Sequence, residues 1–132
     1  TMQEIKHHGD EAFVFQKLRR LATISEQKIA ALQLKVQTVL QDPALYPLFE
    51  NDAQVYNERD MITKQGQSLR PDRLNFHPKT NSVTILDYKT GTPSYEHEDQ
   101  INGYANALFE MGYTIKDKIL VYTNQTILIN KI

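Results

Sequence analysis

Asp87 and Lys89 stand one residue apart at the end of the β-rich run Val83-Thr84-Ile85-Leu86, and Asp72 follows Pro71 a short way upstream. Strand side chains alternate between faces, so Asp87 and Lys89 project together, a carboxylate beside an ammonium at the end of a buried strand. Between the two segments lies His77-Pro78-Lys79-Thr80-Asn81, a turn-rich stretch that cannot extend a central strand. The runs on either side therefore read as an antiparallel hairpin. A symmetric loop sets Phe76 against Val83, Leu74 against Ile85 and Asp72 against Asp87. Carboxylates opposed at about 5 Å between Cβ atoms repel each other unless something neutralises them. A divalent cation would do so. The face they share is apolar towards the turn (Leu74, Phe76, Val83, Ile85) and charged at the open end (Arg70, Asp72, Asp87, Lys89), the pattern of a core that opens into a site.

The flanking pattern supplies the elements that position this cluster. Residues 53–62 have a strand pattern, and Lys64-Gln65-Gly66-Gln67 is a hairpin turn into the Asp72 strand. Symmetric pairing about that turn sets Glu58 against Arg73, as an ion pair on the face away from Asp72. Residues 95–111 form a predicted helix with Glu96, Glu98 and Asp99 in its first turn and Gly112 as the residue after its end. Gln100, Gly103, Tyr104 and Ala107 share one face of it, where the glycine is expected to admit a close neighbour. Packing on the sheet would account for Gln100 and Tyr104 without any chemistry. Residues 118–123 and 126–132 are two further predicted strands about Asn124-Gln125.

Upstream, residues 11–21 read as a short helix with Phe13, Leu18 and Leu21 towards the core. Thr23-Ile24-Ser25-Glu26 fits a capping box that starts a second helix, with the stripe Ile29, Leu32, Val36, Val39 and Leu40 and a stop at Asp42-Pro43. Residues 42–51 read as a loop or helical turn anchored by Leu45, Leu48 and Phe49.

At 132 residues the chain is expected to be one domain, with a helical lead-in over 1–52 and a sheet core with one motif helix over 53–132. It is too short to hold a helicase motor, and it has no P-loop pattern. The absence of cysteine excludes a disulfide framework and a thiolate zinc site. There is no apolar run long enough to span a bilayer and no signal-peptide pattern, so no membrane partner and a cytoplasmic location are expected. A formal net charge of −1 leaves any affinity for nucleic acid to a local patch, a metal ion or a neighbouring domain. Lys64, Arg70, Arg73 and Lys79 are candidate phosphate contacts; His7, His8, His77 and His97 lack metal-ligand spacing and read as surface histidines. Thr1 ahead of Met2 suggests a piece of a longer polypeptide.

The order Pro71-Asp72, then Asp87-Tyr88-Lys89, then Gln100-x-x-x-Tyr104 resembles the PD-(D/E)XK nucleases, in particular the RecB-like nuclease domains that follow UvrD/RecB-type helicases. The likeness runs over residues 58–122, and the three motifs in order are far more specific than any one alone. It implies an α/β restriction-endonuclease-like fold, a mixed sheet led by three antiparallel strands with helices on both faces. It also implies a Mg²⁺- or Mn²⁺-dependent deoxyribonuclease acting with a helicase in DNA end processing. Asp72, Asp87 and the backbone carbonyl of Tyr88 would be the metal ligands, Lys89 the group acting on water or phosphate, and Gln100 and Tyr104 further groups facing the site. Such domains carry a histidine in a Gly-x-x-x-His setting on an early helix; none precedes Glu58, and it is expected upstream of Thr1. The rival readings are a nuclease-like domain that binds without cutting, and an interaction module whose charged cluster is an ion-pair network.

Overall fold

A computed structural model describes the chain except at Ala22, Thr23 and Gln125. Two compact units divide it, Thr1–Ala53 and Gln54–Ile132.

The first unit is helical. Helix α1 (Asp10–Arg19) buries Val14 and Phe15, while Phe13 is 71% and Leu21 50% exposed. The buried stripe is thus rotated by about one residue from the expected one, with only Leu18 of the predicted set half-buried. Helix α2 (Glu26–Gln41) buries Ile29, Val36, Val39 and Leu40 of the stripe its spacing predicts, and leaves Leu32 half-buried. Its cap is Ser25, whose hydroxyl accepts from the Lys28 N–H at 3.2 Å, so Glu26 opens the helix instead of closing a capping box. The Thr23 half of that box lies outside the described residues. The chain leaves α2 at Asp42, whose Oδ1 accepts from the Ala44 N–H at 2.8 Å, and a 3-10 turn at Tyr46–Phe49 buries Leu48 and Phe49 beside fully buried Leu45.

Among the described residues the second unit holds one helix and a five-stranded mixed sheet, in the order β1 (54–57), β4 (73–77), β5 (82–89), β6 (114–123) and β7 (127–131). Strand β4 (Arg73–His77) runs antiparallel to both β1 (Gln54–Asn57) and β5 (Ser82–Lys89). Strand β6 (Thr114–Thr123) lies parallel to β5 and β7 (Ile127–Lys131) antiparallel to β6, so the sheet is mixed and not simply led by three antiparallel strands. Helix α3 (Tyr95–Glu110) is the crossover that a parallel β5/β6 pair requires. It packs Ile101, Tyr104, Ala105 and Leu108 against Leu74, Val83, Ile85 and Leu120. Its end is a Schellman motif: Gly112 at φ +99 donates to Phe109 O, and Tyr113 to Leu108 O.

The first predicted hairpin forms but breaks in the middle. β2 (Met61–Ile62) pairs with β3 (Ser68–Leu69) as a separate two-stranded sheet, in the same register that joins β1 to β4. Between them Glu58 takes φ +50, and Pro71 has no N–H to give a ladder. The Glu58 N–H still donates to Asp72 O at 3.0 Å, so the register differs by one from the expectation and Asn57, not Glu58, stands opposite Arg73. Among the described residues no helix is long and apolar enough to cross a membrane.

Candidate active site

The β4/β5 ladder pairs Phe76 with Val83, Leu74 with Ile85 and Arg73 with Leu86, the register that a symmetric loop predicts. One step further, where regular pairing ends, Asp72 meets Asp87. The Asp72 N–H donates to Asp87 Oδ1 at 3.2 Å, and the Tyr88 N–H donates to Asp72 Oδ2 at 2.8 Å. Backbone donors thus orient both carboxylates. Asp87 is 2% exposed, and Lys89 Nζ lies 2.8 Å from its Oδ2. Lys89 also donates to Gln100 Oε1, which ties the strand end to the first turns of α3. One helical turn on, the Tyr104 hydroxyl reaches Arg70 O at 3.5 Å. Asp72, Asp87, Lys89, Gln100 and Tyr104 therefore gather in one place.

Burial, reinforced by the charge of Asp87, raises the Asp72 carboxyl from the ordinary 3.8 to about 6; the Tyr88 N–H and Lys89 pull the other way. Burial likewise lifts the Tyr104 phenol to about 12, with Asp87 and Asp72 adding to the effect, so it remains an O–H donor at neutral pH. Two oriented carboxylates with an excess of negative charge are donors suited to a hard divalent cation. Asp72 and Asp87 could hold one, and the Tyr88 carbonyl is the next oxygen along the backbone. The Tyr88 side chain lies on the other side of β5, where its buried hydroxyl has no hydrogen-bond partner among the described residues.

Downstream of Lys89 the strand exit is clamped by a turn that sequence reasoning did not assign to the site. The Gly91 N–H donates to Asn124 Oδ1 at 3.0 Å, and Asn124 Nδ2 returns a bond to Gly91 O at 2.9 Å. Thr123 Oγ1 adds a bond to Lys89 O at 3.4 Å. Parallel pairing of Lys89 with Tyr122 brings this turn alongside, and His97 Nδ1 meets the Tyr122 hydroxyl at 2.9 Å. The only sequence signal was the amide side chain in the β6/β7 turn.

Other expected contributors stand elsewhere. Arg73 is fully buried with Nε on Asn75 Oδ1 at 2.9 Å, which removes it as a phosphate contact. Lys79 sits in the β4/β5 turn, at the opposite end of the ladder from Asp72. Arg70 stays exposed, its Nε on Glu58 O at 2.9 Å, and Lys64 is exposed at the tip of the β2/β3 hairpin. His7 and His8 bond the carbonyls of Ala53 and Tyr46, and His77 bonds Thr84 Oγ1. Among the described residues no group of three or more histidine or acidic side chains is placed to hold a metal. Gly103 departs from its expected role: a Cβ there would meet nothing within 4 Å, so it does not admit a close neighbour. It borders an open cleft of about 620 Å³ that Arg70, Gln100 and Tyr104 also line.

Comparison with protein-family models gives no match for the chain, and neither does comparison with the sequences of curated proteins.

Proposed function

We propose that the second unit is a metal-dependent nuclease of the PD-(D/E)XK type, with a restriction-endonuclease-like core, that hydrolyses DNA phosphodiesters. The observation that carries the reading is the opposed pair Asp72 and Asp87 with Lys89 Nζ at 2.8 Å from the buried acid. Mg²⁺ or Mn²⁺ held by Asp72, Asp87 and the Tyr88 carbonyl would supply Lewis-acid polarisation of the phosphate and a water of lowered pKa. On the protein side, Lys89 is anchored between Asp87 and Gln100 and presents its ammonium to an anionic oxygen or an attacking water. Tyr104 keeps its proton and can donate to a phosphate oxygen without adding charge. The near-neutral chain does little to concentrate DNA by itself, so a helicase domain or subunit feeding the strand in the cytoplasm is the expected partner.

A second reading takes the cluster as a structural ion-pair network, or as a binding site that does not cut. It is favoured by one observation, that Lys89 is already paired with Asp87 and Gln100. Calorimetric titration with Mn²⁺ separates the two. The nuclease reading expects heat from the wild type and none from Asp87→Ala; equal heats from both proteins remove the metal site.

A further inference from the structure

Strand β5 is held unequally on its two sides where it reaches the acid pair. Towards β4 the regular ladder ends with Arg73 opposite Leu86, and beyond it the Tyr88 N–H donates to the Asp72 side chain at 2.8 Å instead of to a strand. Towards β6 the pairing continues as far as Lys89 and Tyr122. The N–H and C=O of one extended residue point to the same side of a strand, and successive residues alternate. The Tyr88 carbonyl therefore faces the Asp72 side, and the Lys89 carbonyl faces β6, where it accepts from Thr123 Oγ1 at 3.4 Å.

Gly91 lies past the last rung of that pairing, and Asn124 supplies a further rung with its side chain. Its amide accepts from the Gly91 N–H at 3.0 Å and donates to Gly91 O at 2.9 Å, the two bonds that paired strand residues exchange. Gly91 takes φ +83 to meet it. A Cβ there would touch nothing within 4 Å, so the glycine answers to backbone conformation and not to space. Both bonds are exposed, and water replaces such bonds at little net cost. Their effect is therefore local, on the end of β5 rather than on the stability of the fold.

We infer that Asn124 is a positioning residue for the chemistry at Asp72 and Asp87, an inference that rests on the nuclease reading. By closing a rung beyond Lys89 it fixes the backbone from Tyr88 to Gly91, and with it the direction of the Tyr88 carbonyl and the root of the Lys89 side chain. The far end of that side chain is fixed separately, by Asp87 and Gln100. Without the amide, the strand end would fray into the connection 90–94 that leads to α3. Small hard cations demand closely defined oxygen geometry, so a carbonyl that wanders is a poorer ligand.

The test is calorimetric titration of the intact chain with Mn²⁺, comparing the wild type with Asn124→Ala, Gly91→Ala and the double variant, and measuring each melting temperature in EDTA. Asn124→Ala should bind Mn²⁺ about tenfold more weakly, a loss typical of removing a group that orients a metal ligand, at an unchanged melting temperature. Gly91→Ala, which strains the left-handed turn, should weaken binding to a similar extent, and the double variant no further than either. Wild-type affinity in Asn124→Ala overturns the inference and leaves the nuclease reading standing. Losses that add in the double variant, or a loss that comes with a lowered melting temperature, do the same. Failure of the wild type to bind Mn²⁺ removes both.

Discussion

The two ends of the β4/β5 hairpin share one ladder and one face, yet their side chains have opposite effects. Near the turn, Leu74 opposes Ile85 and Phe76 opposes Val83; Leu74, Val83 and Ile85 are almost completely buried against α3. Each pair adds apolar area removed from water. At the open end Asp72 opposes Asp87, and burying that pair costs free energy that the backbone N–H donors and Lys89 only partly offset. The apolar burial is concentrated at one end of a single hairpin and the charged candidate site at the other. A strained charge pair can be held in place because four apolar side chains a few residues away fix the register beneath it.

The comparison breaks most severely if the apolar end is hollowed out. Ile85→Ala deletes most of a fully buried side chain from the centre of the sheet and should cost about 4 kcal/mol, read by urea denaturation. A loss below about 1 kcal/mol would mean that this end does not carry the ladder.

At the charged end, Lys89→Ala leaves Asp87 buried without its cationic partner. Stability in EDTA should fall by about 3 kcal/mol, and Mg²⁺ should recover most of it, because the ion replaces the lost charge. Any cleavage activity should stay lost when stability returns. A variant that regains both with Mg²⁺ would show that Lys89 serves only to balance Asp87.

The smallest effect concerns pH. The Asp72 carboxyl lies at about 6 in the folded chain against an ordinary 3.8, so between those values the folded state holds a proton that the unfolded state has released. Its contribution therefore makes the fold most stable on the acid side of that window, and stability declines as pH rises through about 6. Asp72→Asn should flatten that segment of the stability profile, as should saturating Mg²⁺, which favours the ionised form. Identical slopes for wild type and Asp72→Asn between pH 4 and 6 would place the acid in an ordinary solvated setting.

What could be read without coordinates was what short loops and local periodicity decide. The β4/β5 loop is brief and turn-rich, so its symmetric closure sets the register and carries it to Asp72 and Asp87. The stripe of α2 and its stop at Asp42 follow from helical spacing and from a proline that cannot continue the helix. Helix α3 likewise presents Gln100 and Tyr104 one turn apart on a predictable face. Tertiary structure decided whatever depended on partners distant in sequence. Parallel pairing of Lys89 with Tyr122 across the α3 crossover has no local signal, and with it came the Asn124 clamp on Gly91. The break at Glu58 and Pro71, which shifted the register opposite Arg73 by one residue, depended on a left-handed residue where regular strand was expected. The cleft over Gly103 arose in the same way: the glycine was legible, but whether it faced a packed neighbour or open space depended on where the β2/β3 hairpin came to rest.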